Sequence, residues 1–413
     1  MTKNEKRQLP KGWRWEKLKN ETTNNISLFK KDIFVEGIFK YIDISSIDNV
    51  TKRIIGYQEI PVNDAPSRAK YILEENDIIV ATVRPNLNAV AIIDQQYAGC
   101  VGSSGFCVVR LRSGHHPKYF FQYLTSPYFV DAVSDMVQGA MYPAINNRDV
   151  LNFDIPLPPA LDDQIIIANK LERKMVEIET MRQAALRQKE ASDALAGGIL
   201  RDFFPVKSGE TLPKGWRWVK LENLCEIVNG FGFPKHLQGQ KKMPYPYIKV
   251  SDMNHVDSQV IMLKAENYVD ENILSSIGAT VYPAGTVIFP KVGGALLTNK
   301  KRMLGVEATF DNNIMGLISK SNTNSKYIYY WISSIDLADI ANTQALPSIR
   351  KSDIANLKIP LPPALDDQII IANKLERKMT EIEAMRQAAL RQKEAVEAMP
   401  GAILREVFDF GKN

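Results

Sequence analysis

Residue types that carry covalent and metal chemistry are few in this chain and poorly spaced for it. The histidines His115, His116, His236 and His255 and the cysteines Cys100, Cys107 and Cys225 show no metal-ligand spacing. No GxxxxGK(S/T) phosphate loop is present, so nothing indicates an ATP-driven motor. Nor is there an Asn-Pro-Pro-aromatic stretch of the kind an amino-methyltransferase places around an extruded adenine. In Asn229-Gly230-Phe231-Gly232-Phe233 two glycines suit a dinucleotide turn, but the third position falls on Lys235. Glu172-x-Lys174 imitates part of a nuclease site, yet it recurs with a repeated helix and reads as solvated helix charge. What remains is Arg, Lys, Asn, Gln and Ser in loops beside strand-like runs. Those side chains hold ligands without transforming them.

The chain of 413 residues is long enough for two or three domains, and 45% hydrophobic with 24% charged residues is ordinary for a globular protein. Net charge +5 and a pI near 8.8 permit a nucleic-acid partner without demanding one. Three cysteines outside any CxxC suit a reducing compartment, so a cytoplasmic location is expected. The charged opening MTKNEKRQLPKGWRW is not expected to be a signal peptide, and no apolar run is long enough to span a membrane.

The elements that position these loops follow from self-similarity. Residues 155–201 and 359–405 are identical at 40 of 47 positions at a constant offset of 204, and LPKGWRW at 9–15 returns at 212–218. The chain is a tandem of two units, each an entry motif, a variable block and a shared tail. The blocks, 16–154 and 219–358, are nearly equal in length and unlike in sequence. The tail opens on Leu-Pro-Pro-Ala-Leu-Asp-Asp, where Asp162 or Asp163 can cap a helix, and residues 160–196 hold no further Pro or Gly. Counting by four and three, Ile167, Leu171, Lys174, Ile178, Met181, Ala185, Gln188, Ser192, Leu195 and Ile199 form a heptad seam with polar interruptions, repeated in the second copy. A helix of ~38 residues runs about 57 Å. That is more seam than one small domain covers, so the natural partner of each tail is the other copy. Strand-like runs at 77–83, 89–93, 107–111, 286–289 and 314–318, with helical segments at 117–136 and 325–341 whose aromatics read as core, predict α+β blocks. The expected boundaries are 1–154 and 205–358 for the globular domains, 155–204 for the first long helix, and 359–413 for the second with its tail.

LPKGWRWEKL before a variable block and IPLPPALDDQ opening a long helix after it resemble the specificity subunit of Type I restriction-modification enzymes, and the doubled motifs cover nearly the whole chain. The resemblance implies two target recognition domains joined by two long helices in an antiparallel coiled coil, a pseudo-two-fold tandem duplication. It implies a non-catalytic protein that reads a bipartite, asymmetric double-stranded DNA site. Its partners would be two methyltransferase subunits and the restriction-translocase subunits. S-adenosylmethionine, ATP and Mg would belong to those partners, with no cofactor or metal on this chain. A self-contained DNA methyltransferase or endonuclease is the alternative. A purely structural adaptor does not explain two divergent blocks of equal length.

If DNA is the ligand, phosphates call for Lys and Arg and base edges for Arg, Asn, Gln or Ser. Three matched pairs of loops meet that description. Arg84, Asn86 and Asn88 in the first block correspond to Lys291 with Asn299, Lys300, Lys301 and Arg302 in the second. Ser103 and Ser104 correspond to Asn312 and Asn313, and Tyr142, Asn146, Asn147 and Arg148 to Gln344, Ser348, Arg350 and Lys351. The competing reading of each is an exposed polar loop residue with no ligand.

Overall fold

The computed structural model describes residues 8–33, 37–137, 143–204, 211–255, 260–342 and 346–410. The chain divides into two compact units, one of residues 1–187 with 389–413 and the other of residues 188–388. The division falls inside the two long helices, Leu161–Phe203 and Leu365–Phe408. Among the described residues no helix is long and apolar enough to cross a membrane.

The two sequence motifs of each unit bind one another. Strand Arg14–Lys17 pairs antiparallel with Asp154–Leu157, and Arg217–Lys220 pairs in the same way with Lys358–Leu361. Gly12 (φ +89°) and Gly215 (φ +86°) turn the chain into these strands in the left-handed region, where glycine carries no steric penalty. Each packs on the second proline of a helix entry, Pro159 and Pro363. Asp162 and Asp163, like Asp366 and Asp367, lie in the first helical turn rather than at the cap, where they complement the helix dipole. Asp367 reaches back to the Ala364 N–H (3.3 Å).

In the first unit a three-stranded antiparallel sheet, in the order Phe106–Val109, Ile78–Ala81, Val90–Ile92, is buried on both faces. Ile78, Val80, Cys107 and Val109 face helices Pro117–Leu124 and Pro127–Met136, while Ile79, Ala81, Phe106 and Val108 face a second apolar layer. This period-two division explains why the strands read as unbroken apolar runs. The predicted helix over 117–136 is two helices, because Pro127 starts a new one after the Thr125-Ser126 break. The second unit has a five-stranded sheet in the order Cys225–Asn229, Ile314–Ser319, Val287–Pro290, Arg302–Leu304, Ile261–Met262. It is covered by helix Ser325–Ser333, whose Tyr327, Tyr329, Tyr330 and Trp331 are buried core, as the aromatic pattern predicts. The rest of the predicted 325–341 helix is a bend and a short 3-10 turn, Leu337–Ile340.

Each unit contains the start of one long helix and the end of the other, so the helices run antiparallel. Ala168 and Leu171 share the first core with Leu404 and Phe408; Ala372 and Leu375 share the second with Leu200 and Phe204. The contacts repeat residue for residue. Gln164 Oε1 accepts from His116 N–H (3.0 Å) and Gln368 Oε1 from Asn324 N–H (2.9 Å). Lys118 pairs with Glu172 and Lys326 with Glu376, while Tyr119 and Tyr327 donate their hydroxyls to Pro156 O and Pro360 O. The buried seam differs in phase from the count by four and three. It runs Ala168, Leu171, Ile178, Ala185, Ser192, with Met175 and Arg182 at the intervening positions, whereas Met181 and Leu195 are exposed. The run Ile165-Ile166-Ile167 offers apolar side chains at either phase, and tertiary packing selects the one containing the small Ala168.

Candidate nucleic-acid interface

In the first unit the strand Ile78–Ala81 runs out at Thr82, and three segments meet there. Thr82 N–H donates to Gly105 O (2.8 Å), and Thr82 C=O accepts from Ile145 N–H (2.8 Å). One residue on, Val83 bridges Ala144, and Arg84 N–H donates to Pro143 O (2.8 Å). The turn at 84–88, the hairpin at 103–105 and the segment 143–148 therefore form one surface, fixed by backbone bonds independent of the loop side chains. The second unit builds the same junction at Lys291. Its N–H donates to Asn313 O (2.8 Å), its C=O accepts from Ile349 N–H (2.9 Å), Val292 bridges Ser348, and Gly293 N–H donates to Pro347 O (2.7 Å). The three loop pairs expected from the sequence thus converge in each unit, except for the segment 298–302.

Arg84 (φ 50°) and Asn88 (φ 51°) both take the left-handed conformation on either side of the short turn Pro85–Leu87. Such backbone costs about 1–2 kcal/mol per non-glycine residue and marks a shape imposed by its surroundings. It leaves Arg84 and Asn86 exposed. Asn88 is structural: its Nδ2 donates to Thr125 O (3.0 Å), and its carbonyl accepts from Lys52 Nζ (2.6 Å). Burial lowers the Lys52 pKa to about 8. Ser103 needs correction as a contact residue. It is 3% exposed, and its hydroxyl accepts from Gly105 N–H (3.1 Å), because the strand places it on the inner face. Ser104 is exposed beside Arg68, whose carbonyl accepts the Ser104 N–H (2.7 Å). Asn146 caps helix Asn147–Leu151, Asn147 Nδ2 donates to Tyr71 Oη (3.2 Å), and Arg148 is exposed. Tyr142 and Gln344 lie outside the described residues.

In the second unit Lys291 Nζ donates to Asn229 Oδ1 (2.7 Å), and burial lowers its pKa. Within the segment 298–302, Lys301 and Arg302 are not contact residues but buried struts. Lys301 is 4% exposed, donates to Ile335 O (2.7 Å) and to Asn299 Oδ1, and is lowered by burial to about 7. Arg302 is 7% exposed and donates to Lys301 O and Met253 O (both 2.8 Å). Asn299 also accepts from Leu337 N–H (3.0 Å), and Lys300 donates to Asn254 Oδ1. Ile335 and Met253 lie far along the chain, so Lys301 and Arg302 are spent on internal carbonyls, whereas Asn299 and Lys300 stay half-buried at the surface. Asn312 and Asn313 are exposed, with Asn313 bonded to Asp311 (2.7 Å). Ser348 is half-buried in its backbone pairing with Asn342, while Arg350 and Lys351 are exposed at the start of helix Lys351–Ala355.

A search for polar contact residues alone passes over Leu297 and Leu346, which are 52% and 61% exposed. It also passes over Arg68 and Asn229, which carry no local signal. The Gly230 motif is explained without a cofactor: a Cβ there would lie 2.2 Å from the carbonyls of Phe310 and Asp311.

Residues 17–188 and 213–392 each match the family model described as the Type I restriction modification DNA specificity domain. The chain is 19% identical over 280 residues to the EcoDI Type I restriction enzyme specificity subunit of Escherichia coli, covering 60% of each chain. It is 23% identical over 287 residues to the MjaVIII specificity subunit of Methanocaldococcus jannaschii, covering 64% of this chain and 63% of that one. These alignments span less than two thirds of either relative. Among solved structures, a chain from an assembly of a Type I restriction-modification system superposes with TM-score 0.82 at 25% identity, covering 97% of this chain and 98% of that one. The HsdS subunit of Thermoanaerobacter tengcongensis superposes with TM-score 0.55 at 26% identity, with 97% of each chain covered.

Proposed function

Because the chain belongs to the Type I restriction-modification DNA specificity family, we propose that it is the subunit that reads the DNA target, each unit recognising one half of a split, asymmetric sequence. The observation that carries this reading is the repeated junction at Thr82 and Lys291. One backbone frame there presents different side chains in the two units. A shared frame with unlike contact residues is what two unlike half-sequences require. Arg84, Asn86, Ser104 and Arg148 are the contacts of the first unit; Asn312, Asn313, Arg350 and Lys351 are those of the second. The globular domains that read DNA are 1–154 and 205–358, and the tails 155–204 and 359–413 are the frame.

The chain binds and positions but does not catalyse. Methyltransferase subunits dock on it, two because the tails are duplicated, and restriction-translocase subunits join that assembly. S-adenosylmethionine, ATP and Mg act within those partners, in the cytoplasm. The test is duplex binding by the full chain with its methyltransferase across a salt series. Affinity should fall steeply and log-linearly with salt, by roughly 0.9 log units per log unit for each phosphate contact. Transfer of methyl groups to DNA by the chain alone would instead support a self-contained enzyme.

A further inference from the structure

At the junction of the second unit the turn is chemically unlike its counterpart. Where the first unit has Arg84-Pro85-Asn86-Leu87-Asn88, the second has Gly293-Gly294-Ala295-Leu296-Leu297 after Val292. No side chain on that turn can donate to or accept from a base edge. Leu296 is buried and anchors the turn in the core of the unit, leaving Leu297 turned outward. A second leucine lies at the start of the same turn: Leu346 Cδ1 is 3.9 Å from the position of a Cβ on Gly293, and the following Pro347 carbonyl accepts the Gly293 N–H (2.7 Å). With Leu297 52% and Leu346 61% exposed, this tip is an apolar pair on a surface whose other exposed members include Arg350, Lys351, Asn312 and Asn313.

Exposed leucines singly are unremarkable. These two lie on the turn and on the paired segment of one junction, where Gly293 and Ala295 stand opposite Arg84 and Asn86 of the other unit, and Arg350 and Lys351 follow on the paired segment. Of the groups a base pair presents in the major groove, only the thymine 5-methyl is apolar. We propose that the second unit recognises thymine in its half-site through that methyl group, Leu297 and Leu346 making the contact while Arg350 and Lys351 hold the neighbouring phosphates. The inference rests on the DNA-reading function above and adds the chemical class of base that this unit selects. In the first unit Arg84 and Asn86 stand opposite Gly293 and Ala295, and they add hydrogen-bonding groups beside the exposed Val83 and Leu87.

The test uses the full chain with its methyltransferase on duplexes carrying the mapped site. Each thymine of the second half-site is replaced by deoxyuridine, which removes the methyl and keeps every hydrogen bond. At one or more positions affinity should fall about fourfold, the fold-change that corresponds to about 0.8 kcal/mol for a buried methylene-sized group. A chain carrying Leu297→Ala and Leu346→Ala should bind the thymine duplex more weakly and no longer distinguish uracil. Both leucines are exposed, so the variant keeps its core. A second half-site without thymine on either strand, indifference to uracil at every position, or undiminished discrimination by the double variant each overturns the proposal. So does a double variant that loses methyltransferase assembly while keeping discrimination, which would make the leucines a protein contact. Failure of the chain to bind any duplex with salt dependence would defeat the parent reading, and this one with it.

Discussion

Replacing Phe408 with Ala tests whether the far end of the second helix belongs to the core of the first unit. Phe408 is 1% exposed and meets Tyr119 (ring centroids 5.8 Å, 74°) and Tyr123 (5.1 Å, 84°) edge to face. Its counterpart Phe204, also 1% exposed, meets Tyr327 (5.3 Å, 72°). Phe-to-Ala changes in a core cost about 3–5 kcal/mol, and each edge-to-face pair adds about 0.5–1.5 kcal/mol beyond burial. With three ring partners, Phe410 being the third (6.5 Å, 64°), Phe408→Ala belongs at the upper end, about 4–5 kcal/mol, and Phe204→Ala nearer about 3–4 kcal/mol. Against total stabilities of about 5–15 kcal/mol this is a large share. At about 2–4 °C per kcal/mol for a unit of this size, the melting temperature falls by roughly 8–20 °C. Urea unfolding followed by amide hydrogen exchange locates the damage. Phe408→Ala should deprotect strands Ile78–Ala81 and Phe106–Val109 and spare Val287–Pro290; Phe204→Ala should do the reverse. A cost under about 1 kcal/mol, or exchange rising equally in both units, would refute the account of crossed helix ends.

Two further outcomes are expected. Arg84→Ala and Arg148→Ala should each weaken the first half-site by about 1–3 kcal/mol, measured by competition with mismatched duplexes, whereas Ser103→Ala, whose hydroxyl faces inward, should leave binding unchanged. Lys301 gives a pH signature. Burial lowers its pKa to about 7, whereas an unfolded lysine titrates near 10.4, so between those values the unfolded chain holds a proton that the folded chain lacks. Stability therefore rises with pH above 7, by up to about 1.4 kcal/mol per unit, and the penalty of the buried charge is felt in full below it. Lys301→Met should flatten that rise in urea titrations from pH 7 to 9. An unchanged slope would mean the amine is not buried as described.

The frame was legible in the sequence because duplication repeats it. Two copies of a Pro-Pro entry, each followed by a long tail without Pro or Gly as far as Leu195 and Met399, leave little freedom in what they form. The apolar runs of the sheets were legible as strands by their shortness and β-branched content, since burial on both faces erases the alternation. The interface was legible as loops and less so as side chains. Ser103, Lys301 and Arg302 are the residue types that bind DNA, but Ser103 is turned inward by its strand and bonded within its own hairpin, and Lys301 and Arg302 are satisfied by Ile335 O and Met253 O, close to them only in space. Local sequence cannot report such partners. Leu297 and Leu346 were missed for the complementary reason, since apolar residues near strands read as core until the fold leaves them outside.

The central claim is that one frame carries two independent readers. Methylome sequencing of a host expressing the chain with its methyltransferase, before and after residues 16–154 are exchanged for a foreign block, tests it most directly. Two unlike half-sequences around an unspecified gap are expected, and the exchange should rewrite one half while the other half stays as it was. A palindromic or uninterrupted site, or an exchange that alters both halves, would contradict the account.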